Sequence, residues 1–67
     1  MTKEHEYAAA LEFRRMRAGI PYEDLAQRAR VPFTRMYYVL VAAHALKPDE
    51  RARIERVLEA VEHERGY

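Results

Sequence analysis

The sequence predicts an all-α domain of four to five helices built around a central helix-turn-helix. Three observations predict it. Leu25, Ala26 and Ala29 fall at i, i+1 and i+4, one face of a short helix, and Ala26 is small enough for a second helix to cross close by. Met36, Val39, Leu40 and Ala43 fall at i, i+3, i+4 and i+7, a second apolar stripe. Between the stripes, Val31 plugs the corner, and Pro32 sits where a new helix begins, its φ already fixed and no N–H left unpaired. Two short helices meeting at a tight corner are the layout of a helix-turn-helix, with the motif spanning about residues 22–40.

The flanking helices follow from similar signals. A first helix is expected over Lys3 to Ala18, with Ala9, Phe13, Met16 and Ile20 at i, i+4, i+7 and i+11 as its inward stripe and Gly19 as its stop. Pro21 opens the helix Tyr22 to Arg30, whose early Glu23 and Asp24 suit the positive end of the helix dipole. Lys47-Pro48-Asp49-Glu50 opens a last helix over about residues 48–64, a packing or dimer helix with Ile54, Val57, Leu58 and Val61 as its stripe. Arg51 and Glu55 are expected as an i, i+4 pair on its wet side. Tyr37 to Val41 is β-prone in composition, but it lacks alternation or a hairpin turn, so no strand competes.

Bulk properties bound the function. A chain of 67 residues makes one domain with a marginal core, for which dimerisation is a natural support. The 49% apolar and 34% charged composition is that of a globular protein. There is no cysteine, which excludes disulfides and thiolate metal sites and fits a reducing compartment. The most apolar stretch, residues 36–46, is about half the roughly 20 residues of a membrane span, and the N-terminus is polar, so a soluble cytoplasmic protein is expected. Net charge is only +1, yet residues 13–47 hold seven Lys or Arg against two acids, a segment charge of +5, with −2 on each flank. A local positive field of that kind suits phosphate neutralisation.

His5, His44 and His63 form no metal or acid–base set. Glu62-His63-Glu64 points three ways around a helix, and there is no HExxH or Cys-His pattern. No cofactor is expected, and a chain this short leaves little room for a catalytic pocket beside its core, so no enzyme is expected either.

With these motifs in place, the chain resembles the lambda-repressor-like helix-turn-helix superfamily of phage repressors, Cro-type proteins and LacI-type DNA-binding heads. Gly19 to Ala26 resembles that family's entry into its second helix, Ala29 to Leu40 its turn and recognition helix, and Leu46 to Leu58 the proline-acidic helix that often follows. Three features depart from the pattern. Arg30 stands where the family favours glycine, requiring either a positive φ or a different turn, Pro21 replaces the usual Ser or Thr cap, and the first-helix apolar pair Phe13 and Met16 is shifted against the common spacing.

The resemblance implies a sequence-specific DNA-binding regulator without an effector domain, expected to act as a dimeric repressor on an inverted-repeat operator. A phage or mobile-element setting fits, including anti-CRISPR-associated repressors. Double-stranded DNA is the expected partner, with Phe33, Thr34, Arg35, Tyr37 and Tyr38 at base edges and Arg14, Tyr22, Gln27, Arg28, Arg30 and Lys47 at phosphates. The two motif tyrosines cannot both face inward, being adjacent on one helix; for Phe33 a core position beside Val31 is the equal alternative. The dimer contact is expected from the last helix or from the tail of the recognition helix. The rival reading is a helical adaptor or inhibitor that docks a protein through Phe33, Tyr37, Tyr38 and Val41, since aromatic enrichment fits interface hot spots as well as it fits DNA.

Overall fold

Each helix boundary has a local cause. In the computed structural model, which describes residues 2–66, four α-helices and no strand are found among the described residues: α1 Lys3–Ala18, α2 Tyr22–Ala29, α3 Phe33–Ala42 and α4 Pro48–Glu64. Thr2 caps α1 by accepting the backbone N–H of His5 at 3.2 Å. At its other end Gly19 takes the left-handed conformation (φ 70°), and the N–H groups of Gly19 and Ile20 reach back to Met16 O and Arg15 O. α2 and α3 start directly after Pro21 and Pro32, whose carbonyls accept from Leu25 and Met36 at 3.0 and 2.9 Å.

The corner between α2 and α3 is built the same way as the end of α1, but with an arginine at the turn. Arg30 is left-handed at φ 57°, ψ 43°, which resolves the alternatives that its side chain left open. Its N–H donates to Gln27 O at 3.2 Å and that of Val31 to Ala26 O at 2.9 Å. A non-glycine residue here costs on the order of 1 kcal/mol. Part of the offset comes from α4: Arg53 Nε donates to Ala29 O at 2.7 Å, placing a cation against the carbonyl end of α2.

The core forms where α1 and α2 each pack against both α3 and α4. Leu11, Leu25, Met36, Val39, Ile54 and Leu58 are its largest fully buried side chains. On α2 and α3 the buried rows are Leu25, Ala26, Ala29 and Met36, Val39, Leu40, as the spacing predicts, and Val31 fills the corner.

Four expectations need correction. The inward row of α1 is Ala8, Leu11 and Ala18; of the expected stripe only Ile20 is buried, while Ala9 is exposed and Phe13 and Met16 stand 63% and 65% exposed. Both rows have helical spacing, and periodicity cannot say which one meets the core; the row of two alanines flanking a leucine admits the closer approach. Ala43 is not part of the α3 stripe, because α3 ends at Ala42 and Ala43 is a second left-handed stop at φ 55°. Arg30 ends α2 rather than continuing it. Finally, the attraction of Arg51 for Glu55 is not made through a direct ion pair: Arg51 lies 4.0 Å from the centre of the Tyr7 ring, and Glu55 accepts from Tyr7 and Arg14.

α1 and α4 are clamped by charge. Arg14 grips Glu62 through two N–H groups at 2.9 and 2.8 Å and reaches Glu55 at 2.7 Å, while Tyr7 donates to Glu55 at 2.7 Å. Burial pushes the Glu55 carboxyl up, but the bonds from Arg14 and Tyr7 outweigh it and hold it below the usual carboxylate range. Arg14, above all, holds Glu62 low. Burial drives the Tyr7 phenol up to about 12, with Glu55 adding to the effect.

Two predictions follow from this geometry. Glu55 and Glu62 have folded values below 4.5, so their stabilisation is complete above that pH and is lost as pH falls through the folded values. Urea unfolding measured from pH 7 to pH 2 should show stability declining once below about 4.5; a flat profile across that window contradicts the clamp. Arg30→Gly should relieve up to about 1 kcal/mol of backbone strain, raising the melting temperature by up to about 4–8 °C in a domain of this size. A lower melting temperature would mean that the turn is not under strain.

Candidate nucleic-acid interface

The first two turns of α3 stand on the molecular surface because its core row consumes only Met36, Val39 and Leu40. Phe33, Thr34, Tyr37 and Tyr38 are all exposed, which settles the Phe33 alternative in favour of solvent. The rings are not loose. Tyr37 packs edge-on against Tyr22 of α2 with centroids 6.1 Å apart and against Tyr38 at 5.8 Å; Tyr38 stacks on His44 at 5.4 Å. Tyr22 is fixed in turn by α1: its hydroxyl donates to Glu12, and the Arg15 guanidinium lies 4.0 Å from its ring centre. The hydrogen bond to Glu12 raises the Tyr22 pKa and keeps the phenol protonated.

The result is a ridge of held aromatic rings beside a threonine hydroxyl. Three of its groups, on Thr34, Tyr37 and Tyr38, both donate and accept hydrogen bonds, and Phe33 offers an apolar edge. An α3 of ten residues is about 15 Å long, and a major groove about 12 Å wide admits such a helix with its N-terminal residues at base edges.

A basic depression adjoins the corner. Arg28 and Arg30 line it together with Arg53, Arg56 and Val57 of α4. Arg53 is tied to Asp49 at 2.9 Å, and Arg28 and Arg30 are exposed. Arg53 and Arg56 do not stand out in the sequence, because the charges of segment 48–67 sum to −2; their signal was the i, i+3 spacing that puts both on one side of α4, against the end of α2. Gln27 is exposed on the outer side of α2, and Lys47 is exposed directly before α4, where its N–H donates to Glu50 at 3.0 Å.

Two arginines are placed elsewhere than expected. Arg35 turns sideways to Glu50, with Nη2 at 3.0 Å from the carboxylate and 2.7 Å from Ala45 O, bracing the loop that leads into α4. Glu50 is a buried carboxylate, held low by Arg35 first and the Lys47 N–H second, and needs that cation. Arg14 lies in the α1–α4 clamp. Both positions have the same cause: a partly buried acid of α4 recruits the nearest guanidinium.

Among the described residues no group of three His, Cys, Asp or Glu side chains could hold a metal ion, and no helix is long and apolar enough to cross a membrane. No protein-family model, curated protein or solved structure matches the chain.

The placement of Arg35 makes a testable distinction. Arg35→Ala should destabilise the fold by about 2 kcal/mol, because it leaves the buried Glu50 carboxylate without its cation, and Glu50→Gln in that background should recover part of the loss. An unchanged denaturation midpoint for Arg35→Ala would return this side chain to the pool of ligand-reading groups.

Proposed function

We propose that this protein is a sequence-specific DNA-binding regulator of the helix-turn-helix type, acting as a dimeric repressor on an inverted repeat. The observation that carries the reading is the solvent-facing edge of α3, where Phe33, Thr34, Tyr37 and Tyr38 are exposed directly after a corner whose Arg28 and Arg30 are also exposed. In this reading Thr34 and Tyr38 hydrogen-bond to base edges, Phe33 meets a thymine methyl group and Tyr37 serves a base or a sugar-phosphate oxygen. Arg28, Arg30, Gln27 and Lys47 neutralise or bond phosphates, with Tyr22 positioning Tyr37. Arg14 and Arg35 act as braces of the fold and not as contacts.

The left-handed Arg30 supports the same reading. Glycine would serve the turn at lower conformational cost but would carry no charge, whereas Arg30 presents a guanidinium at the exposed corner. Arg30→Gly therefore separates the two roles: the melting temperature rises and the nucleic-acid affinity falls.

The test is selection from a random duplex pool at two salt concentrations, with binding measured for Thr34→Ala, Tyr38→Ala and Arg28→Ala. An inverted repeat should be enriched, and Thr34→Ala and Tyr38→Ala should relax preference at defined positions by about 5- to 150-fold. Arg28→Ala should weaken all sequences alike and reduce the salt slope by about 1. No enriched sequence, together with binding weaker than roughly 10 μM at low salt, overturns the proposal and leaves the ridge of Phe33, Tyr37 and Tyr38 to a protein partner.

A further inference from the structure

α1 carries an apolar row that its own fold does not use. Ala9, Phe13 and Met16 follow one another at i, i+4 and i+7 on the solvent side, and Val41 of α3, 55% exposed, stands beside them. With Leu40 and Ala43 these side chains line an open groove between α1 and the end of α3. Single exposed apolar residues are ordinary, but a contiguous row at helical spacing marks a surface that is covered in use.

We propose that this groove is the interface between two copies of the chain, with their α1 helices antiparallel across a two-fold axis. The assignment deepens the dimer of the preceding reading, and its test contains no DNA, so either can fail alone. Shape and charge commit the occupant. A two-fold contact pairs residue i with j and j with i, so the face must be complementary to itself. It is: the small Ala9 and the large Phe13 are neighbours on one row, and antiparallel packing sets Phe13 of each copy over Ala9 of the other, at the edge of the Val41 groove.

That same register matches the charges. Glu6 and Arg17 flank the row, both within about 40° of Phe13 around the helix axis. Glu6 lies three residues before Ala9, and Arg17 four residues after Phe13, so each Glu6 comes alongside Arg17 of the other copy. Arg17 already sits at the rim of the face, 5.6 Å from the Phe13 ring centre and 3.3 Å from Glu62. α1 is acidic in its first turn and basic in its last, at Glu4, Glu6, Arg15 and Arg17, so antiparallel helices set opposite ends together whereas parallel ones would bring the two acidic turns side by side.

Sedimentation equilibrium of the full chain at low salt tests the assignment. The expected mass is twice the 7.9 kDa of the monomer, with a concentration-dependent dissociation. Phe13→Glu should raise the dissociation constant by at least about 100-fold, since it would bury an unpaired carboxylate, while the circular dichroism spectrum stays helical because Phe13 is exposed in the monomer. Glu6→Arg should weaken the dimer by about fivefold, and Glu6→Arg with Arg17→Glu should restore it. A monomer at millimolar concentration, a dimer indifferent to Phe13→Glu, or a charge swap without rescue overturns the proposal.

Discussion

The crossing of α2 over α3 is set by a three-residue turn whose first residue, Arg30, is forced into the left-handed region, and the rest of the domain is arranged around holding that crossing. Ala26 and Ala29 let the helices approach, Leu25 and Met36 fill the space beneath, and Val31 closes the corner. α4 completes the joint from below: Ile54 and Leu58 are fully buried, and Arg53 occupies the carbonyl end of α2. Once this corner is fixed, the direction of the exposed α3 side chains follows, because a helix with three inward residues in ten has little rotational freedom left.

Charge does the remaining positioning. A core of this size is small, and the structure adds clamps between its helices: Arg14 on Glu55 and Glu62, Tyr7 on Glu55, Tyr22 on Glu12, Arg35 on Glu50. Most of the acids in these clamps belong to α4, so the helix expected for packing or dimerisation is also the anchor for the cations of α1 and α3. The charge pattern thereby divides into two sets. Arg14 and Arg35 are spent within the fold, whereas Arg28 and Arg30 are exposed at the corner that precedes α3.

Helix boundaries and the α2–α3 core were legible in the sequence because each of those helices carries one apolar row and is bracketed by a proline or a turn residue. The inward face of α1 was not, because that helix carries two rows on nearly opposite sides, about 160° apart, and the one with the larger side chains, Phe13 and Met16, faces out. The exposed ridge was legible for a related reason: Tyr37 and Tyr38 are adjacent, so helical geometry denies both of them the core. The fates of Arg14 and Arg35 were not legible. Their partners lie 15 to 48 residues away, and local spacing carries no information about pairings over that separation. The same limit hid Arg53 and Arg56, whose contribution appears only when α4 is laid against the end of α2.

Whether the outer edge of α3 and the preceding arginine corner form the proposed nucleic-acid surface is tested by amide chemical-shift mapping of the full chain titrated with a mixed-sequence DNA duplex at low salt. Perturbations should concentrate at residues 27–38 and at Lys47 and support that assignment, with the α1–α4 clamp around Arg14, Glu55 and Glu62 unmoved. Perturbations centred on that clamp, or none at duplex concentrations of about 100 μM, where even sequence-independent contacts of a basic surface are measurable, would contradict it.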